Sequence, residues 1–194
     1  MKPAARSIGA AAIAICLFGI TAMPSVAGPQ KGDPHAMKVY VGYVDDLHGG
    51  TTFIPSPWDG DAKVVFQGSG SPFDAGAIRI DNPSNQTLTV QDVVVDIGGV
   101  AYALWTFPAS VPPKSTLILT QTTQFDFDTS EPGGVATCDP TGTIPTVSVT
   151  VGAKDQSTKV FADAGQVLNT GGVDPGACSD ANEGHAWSRV HAVD

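Results

Sequence analysis

The densest oxygen chemistry in the chain sits at Phe125-Asp126-Phe127-Asp128-Thr129-Ser130-Glu131. Successive side chains of an extended segment alternate faces. That alternation would put Asp126 and Asp128 on one side and the two phenylalanines on the other. Paired carboxylates beside the oxygens of Thr129, Ser130 and Glu131 suit Ca²⁺, a hard cation that takes roughly six to eight oxygen ligands. Asp126, Asp128 and Glu131 are therefore the expected metal ligands, with calcium in a structural role. The competing reading, and the plainer one, is a solvated acidic loop that its phenylalanines anchor to the core. Asp45-Asp46 and the trio Asp174, Asp180 and Glu183 are further acidic positions and read as loops.

Other chemistry is sparse. The chain has no GxSxG, HExxH, SxxK or GxxxxGK[ST] motif. Gly68-Ser69-Gly70-Ser71 has neither the spacing nor the strand-to-helix setting of a nucleophile elbow and reads as a loop. The histidines are His35, His48, His185 and His191. On one strand His185 and His191 would lie about 20 Å apart and share no ion. No catalytic residue is expected from this inventory. Among the aromatic residues, Trp58 lies in the turn Pro55-Ser-Pro-Trp-Asp-Gly60 and is expected near the surface, as a ligand-stacking ring. Trp105 and Trp187 fall in strand-like runs and read as core.

The N-terminus has the three parts of a secretory signal. Lys2 and Arg6 are basic, Ile8 to Ala22 is an uncharged apolar run, and Ser25-Val26-Ala27 offers small residues before a cut at Gly28. The run is shorter than the roughly 20 residues of a membrane span. Residues 1–27 are thus expected to be a signal peptide, 28–37 a flexible leader and 38–194 one β-domain. The product is expected to be secreted or periplasmic, with no membrane span in the mature chain. The whole chain of 194 residues has a net charge of −9, and cleavage removes two basic residues and no acidic one. An acidic chain does not suit nucleic acid. Cleavage also removes Cys16 and leaves Cys138 and Cys178, which an oxidising compartment would pair. That bond would staple the Gly- and Asp-rich segment 163–184 to the loop holding Cys138, so both loops are expected at one end of the domain.

The elements that must position these groups are short strands. Alternation of Val39, Val41 and Tyr43 marks the run Lys38 to Val44. Lys63 to Gln67, Ala77 to Asp81, Leu88 to Ile97, Val100 to Thr106, Thr116 to Thr120, Thr146 to Val151, Thr158 to Phe161 and His185 to His191 follow. Turn formers separate them: Asp81-Asn-Pro-Ser-Asn-Gln86, Gly98-Gly99 and Pro112-Pro113-Lys114. Charged residues are only 15%, against 22 Gly and 15 Pro, which excludes coiled coil and argues against helix generally. The expected fold is all-β, an immunoglobulin-like β-sandwich of about nine short strands with almost no helix outside the signal peptide.

Ala77-Ile-Arg-Ile-Asp-Asn-Pro-Ser-Asn-Gln-Thr-Leu-Thr-Val-Gln-Asp-Val-Val-Val95 and Phe107-Pro-Ala-Ser-Val-Pro-Pro-Lys-Ser-Thr-Leu-Ile-Leu119 resemble the lamin-tail type of immunoglobulin-like domain. The shared pattern is a strand ending in Asn-Pro, a polar turn, a second strand, a Phe-Pro element, a proline turn and an apolar strand. Gln91-Asp92-Val93 and Pro113-Lys114 depart from that family's usual residues. More broadly the chain resembles exported bacterial β-sandwich proteins. Both resemblances imply a sandwich and neither implies catalytic residues. The expected function is that of an exported, non-enzymatic protein, structural, adhesive or ligand-binding, which meets a surface, a glycan or a protein partner. The alternative is a small secreted hydrolase or inhibitor acting through its loops.

Overall fold

The computed structural model describes residues 37–48, 52–131, 142–170, 173 and 183–193. Ten strands follow in chain order: β1 Lys38–Asp45, β2 Val64–Gln67, β3 Asp74–Asp81, β4 Leu88–Ile97, β5 Val100–Tyr102, β6 Ala109–Val111, β7 Thr116–Leu119, β8 Thr146–Val151, β9 Ser157–Ala162 and β10 His185–Ala192. The described residues contain no α-helix. The strand missing from the sequence reading is β6, three residues in a Pro-flanked stretch too short to show alternation.

The strands form one sheet in the order β2-β7-β3-β1-β10-β9-β8-β4-β5, with β6 on β4. All pairs are antiparallel except β2 with β7. Strand β10 joins the two halves. Its first part pairs with β1 and its last two residues pair with β9. The sheet curls into a half-barrel, so side chains from both halves meet in one core. Val39, Val41, Ile78, Ile80, Leu117 and Leu119 from one half join Val90, Val93, Val95, Val147, Val149 and Val151 from the other. Each buried Val, Leu or Ile contributes about 1.5–3 kcal/mol of transfer free energy.

Two turns show how local chemistry sets register. Gly98 and Gly99 both have positive φ, 62° and 90°, as a tight two-residue hairpin between β4 and β5 requires. Asn82 closes the turn after β3: its Nδ2 donates to the carbonyls of Gln86, Val111 and Pro112, and its Oδ1 accepts from Ser84 N and Oγ.

Candidate metal centre

The site follows from the parity of β1 and β3. Val39, Val41, Tyr43 and Asp45 share one face of β1, and Asp74, Gly76, Ile78 and Ile80 share the matching face of β3. The alternation that buries the Val and Ile side chains also carries Tyr43, Asp45 and Asp74 inward at the end of the two strands. Tyr43 and Asp45 are fully buried and Asp74 is 3% exposed. Asp45 is the register partner of Asp74. On the other side of β1, Tyr43 is the register partner of His185, so the residues just before β10 run toward Asp45. Glu183, 6% exposed, lies there.

Surrounding loops fix this end of the sheet. Asp46 N donates to Phe73 O, and Phe73 N donates to Asp46 Oδ1. Buried Gln121 donates to the carbonyls of Gly70 and Pro72, and its Oε1 accepts from Asp74 N. The Asp45 Oδ1 atom accepts from Leu47 N (2.9 Å) and His48 N (2.8 Å). This turn brings His48 Nδ1 to 3.3 Å from Asp74 Oδ2 and 3.7 Å from Asp45 Oδ1. One ligand atom each from Asp45, His48 and Asp74 lies within 4.8 Å of the others.

Asp128 enters from the segment after β7. The Tyr43 hydroxyl lies 2.9 Å from Asp128 Oδ1 and 3.1 Å from Asp74 Oδ1, so its single proton serves one carboxylate at a time. Asp128 Oδ1 also accepts from Ser130 Oγ at 2.6 Å. Asp74, Asp128 and Glu183 thus gather around one tyrosine, with Asp45 beside Asp74. Among the described residues the ion pairing to them comes from His48 alone, while Arg79 is engaged with Asp81 on the opposite face of β3. Asp45 Oδ2 and both Glu183 carboxylate oxygens are buried and meet no hydrogen-bond donor.

The electrostatics follow from this crowding. Burial, then the Asp74 carboxyl at hydrogen-bonding range, then the Asp128 and Asp45 charges push Glu183 up to about 10. Asp74 is raised as well, chiefly by burial, against the lowering effect of Glu183, His48 and Tyr43. Glu183 and Asp74 approach as two acceptors, a contact that needs a proton or a cation between them. Burial first, then the Asp128, Glu183 and Asp74 charges, raise the Tyr43 hydroxyl well above its usual value and keep it a donor.

The residues expected from sequence are distributed differently. The 122–131 segment is a turn rather than an extended run: Asp126 N donates to Thr123 O, Asp128 N donates to Phe125 O, and Phe125 has φ 67°. Asp126 caps this turn, its carboxylate accepting from Thr122 N, Thr122 Oγ1 and Thr123 N. Asp128 points the other way, into the Tyr43 cluster. Glu131 is half-buried at the end of the described segment. The two phenylalanines also part: Phe127 is fully buried and Phe125 is 50% exposed.

The surface position expected for Trp58 is not what the structure has. Trp58 is 9% exposed. Its turn folds over the outer face of β1, where Gly42 leaves room for the Trp187 ring. Trp58 stacks on Trp187 (6.2 Å between centroids) and meets Phe66 and Phe73 edge-on. Trp187 Nε1 donates to Pro57 O. Cys138 and Cys178 lie outside the described residues.

Tyr43, Asp45, His48, Asp74 and Glu183 were missed as site residues. The usable signal was parity, since Asp45 continues the inward set Val39, Val41 and Tyr43. Comparisons with family models, curated proteins and solved structures find no match to this chain.

Proposed function

We propose that the chain is an exported, non-enzymatic binding module, an immunoglobulin-like sandwich whose fold is completed by a divalent cation at Asp45, Asp74, Asp128 and Glu183. One observation carries the cation: Asp45 Oδ2 and both oxygens of Glu183 are buried without a donor in a cluster of acceptors. Clustered buried carboxylates with one histidine beside them must fold either protonated or uncompensated, both at a cost, and a bound cation removes that cost. The ligands come from β1, β3, the 122–131 turn and the chain before β10, so the ion would cross-link segments far apart in sequence. Burial of Asp45, Asp74 and Glu183 favours a structural ion over one that turns over a substrate. A role at the cell exterior, with a surface, glycan or protein as partner, fits the signal-like residues 1–27 and the acidic balance.

The test is metal analysis of the mature protein with thermal melts in chelator and in added cation. About one ion per chain is expected. At a hundredfold excess over Kd, linkage gives about 2.7 kcal/mol, a rise in Tm of roughly 5–10 °C. No ion and no shift would overturn the reading. A Cys138–Cys178 bond belongs to the same proposal, and mass measurement with alkylation before and after reduction checks both it and a cut before Gly28.

A further inference from the structure

We infer that the cation is a borderline transition ion of the Zn²⁺ class, held by His48 Nδ1 with Asp45 Oδ2, Asp74 Oδ2 and Glu183, rather than Ca²⁺. This rests on the cation reading above, adds the ion's class, and puts His48 Nδ1 in the place given there to Asp128.

The supply of oxygens is the first argument. Asp45 Oδ1 is occupied by two backbone N–H groups. Asp74 Oδ1 faces the Tyr43 hydroxyl, and Asp128 Oδ1 faces Tyr43 and Ser130. Asp45, Asp74 and Asp128 are therefore left with one oxygen each for an ion and Glu183 with two, at most five in all. Ca²⁺ wants roughly six to eight oxygens, while Zn²⁺ is satisfied by about four ligands of mixed type.

The second argument is the nitrogen. The turn made by Asp45 Oδ1 aims His48 Nδ1 at the carboxylates, 3.3 Å from Asp74 Oδ2. Imidazole suits Zn²⁺ and its neighbours, and hard Ca²⁺ discriminates against it. Tetrahedral bonds of about 2.1 Å place ligand atoms about 3.4 Å apart. The 3.3 Å separation of His48 Nδ1 from Asp74 Oδ2 is close to that value. Of the set, Asp45, Asp74 and Glu183 are buried, while the His48 side chain is 28% exposed.

The experiment uses the mature chain, stripped with chelator and dialysed, and titrated separately with Zn²⁺, Ca²⁺ and Co²⁺. Zn²⁺ is expected to bind about a hundredfold or more tighter than Ca²⁺. Co²⁺ is expected to give the intense visible bands of a tetrahedral site. His48→Ala and His48→Asn, with folding checked by circular dichroism, are expected to lower Zn²⁺ and Co²⁺ affinity by about a hundredfold and leave Ca²⁺ within about threefold. His191→Ala should change nothing. Zn²⁺ uptake that survives both His48 substitutions, or Ca²⁺ binding as tight as Zn²⁺, overturns the inference and leaves the cation reading standing. No stoichiometric uptake of any of the three ions overturns both.

Discussion

Asp45 and Asp74 are register partners across β1 and β3, and both carboxylates turn into the core, where beyond Tyr43 and Gly76 the pairs on the same face, Val41–Ile78 and Val39–Ile80, are apolar. Paired like charges in that position oppose folding unless something lies between them. This gives Asp74→Asn an effect whose sign depends on the cation. Asn keeps an acceptor for the Tyr43 hydroxyl and removes a charge. In chelator the variant is expected to be about 1 kcal/mol or more stabler than the parent. In saturating cation it is expected to be the less stable protein, because it has lost a ligand. Urea melts in both conditions give the two signs, and the same sign in both would count against a cation at this pair.

The pH response of the chelated protein follows from Glu183. Its carboxyl is raised to about 10 in the folded state, while the ordinary value is 4.5. Between those values the folded chain holds a proton that the unfolded chain has released. Rising pH therefore favours unfolding, by at most about 1.4 kcal/mol per pH unit for one proton. Asp74, shifted in the same direction, begins to lose stability at lower pH. Stability in chelator is expected to fall steadily from about pH 5 to pH 9, measured by urea unfolding at fixed ionic strength. Glu183→Gln is expected to flatten most of that slope. A parent protein with no slope would show that the carboxylates are more hydrated than their burial implies.

The neighbouring Phe125 and Phe127 should respond very differently to substitution. Phe127 is fully buried, with its ring 5.2 Å from Tyr102 and 5.1 Å from Trp105, both edge-on. Phe127→Ala is expected to cost about 3–5 kcal/mol. It should also weaken cation binding, because Phe127 anchors the turn whose Asp128 shares the Tyr43 hydroxyl with the ligand Asp74. Phe125 is half exposed, and Phe125→Ser is expected to stay within about 0.5 kcal/mol of the parent. Chemical denaturation of both variants, each with a cation titration, checks this contrast.

The same pair shows what the sequence could and could not reveal. Alternation located β8 and parts of β1, β3 and β4, where buried apolar side chains on one face alternate with polar or less buried ones on the other. The Asp126–Asp128 segment was read by that two-residue period, and there the rule failed. A turn with positive φ at Phe125 and capped by Asp126 sends neighbouring carboxylates to different places. Asp45 was legible by parity, but a charged residue at a strand end looks like the start of a loop. Glu183 reads from the sequence only as one acidic residue of a loop. It reaches the cluster because β10 pairs with β1 from the far end of the chain, and no local pattern encodes that pairing. Trp58 was misplaced for a related reason: its turn is local, but the face that buries it belongs to Gly42 and Trp187.

Asn82 offers a test of the fold that is independent of the cation. Its side chain is 3% exposed and reaches the carbonyls of Gln86, Val111 and Pro112, so it ties the turn after β3 to the end of β6. A net hydrogen bond contributes about 1 kcal/mol, and each buried carbonyl left without a donor adds about 1–3 kcal/mol of cost. Asn82→Ala is expected to destabilise by about 2–4 kcal/mol, with the cation-induced rise in Tm unchanged. Asn82→Asp keeps the acceptor for Ser84 but replaces the donor to three carbonyls with a carboxylate oxygen, and should be at least as damaging. Thermal melts of both variants with and without cation decide the matter. A loss below about 0.5 kcal/mol would mean that β6 is held by its pairing with β4 alone.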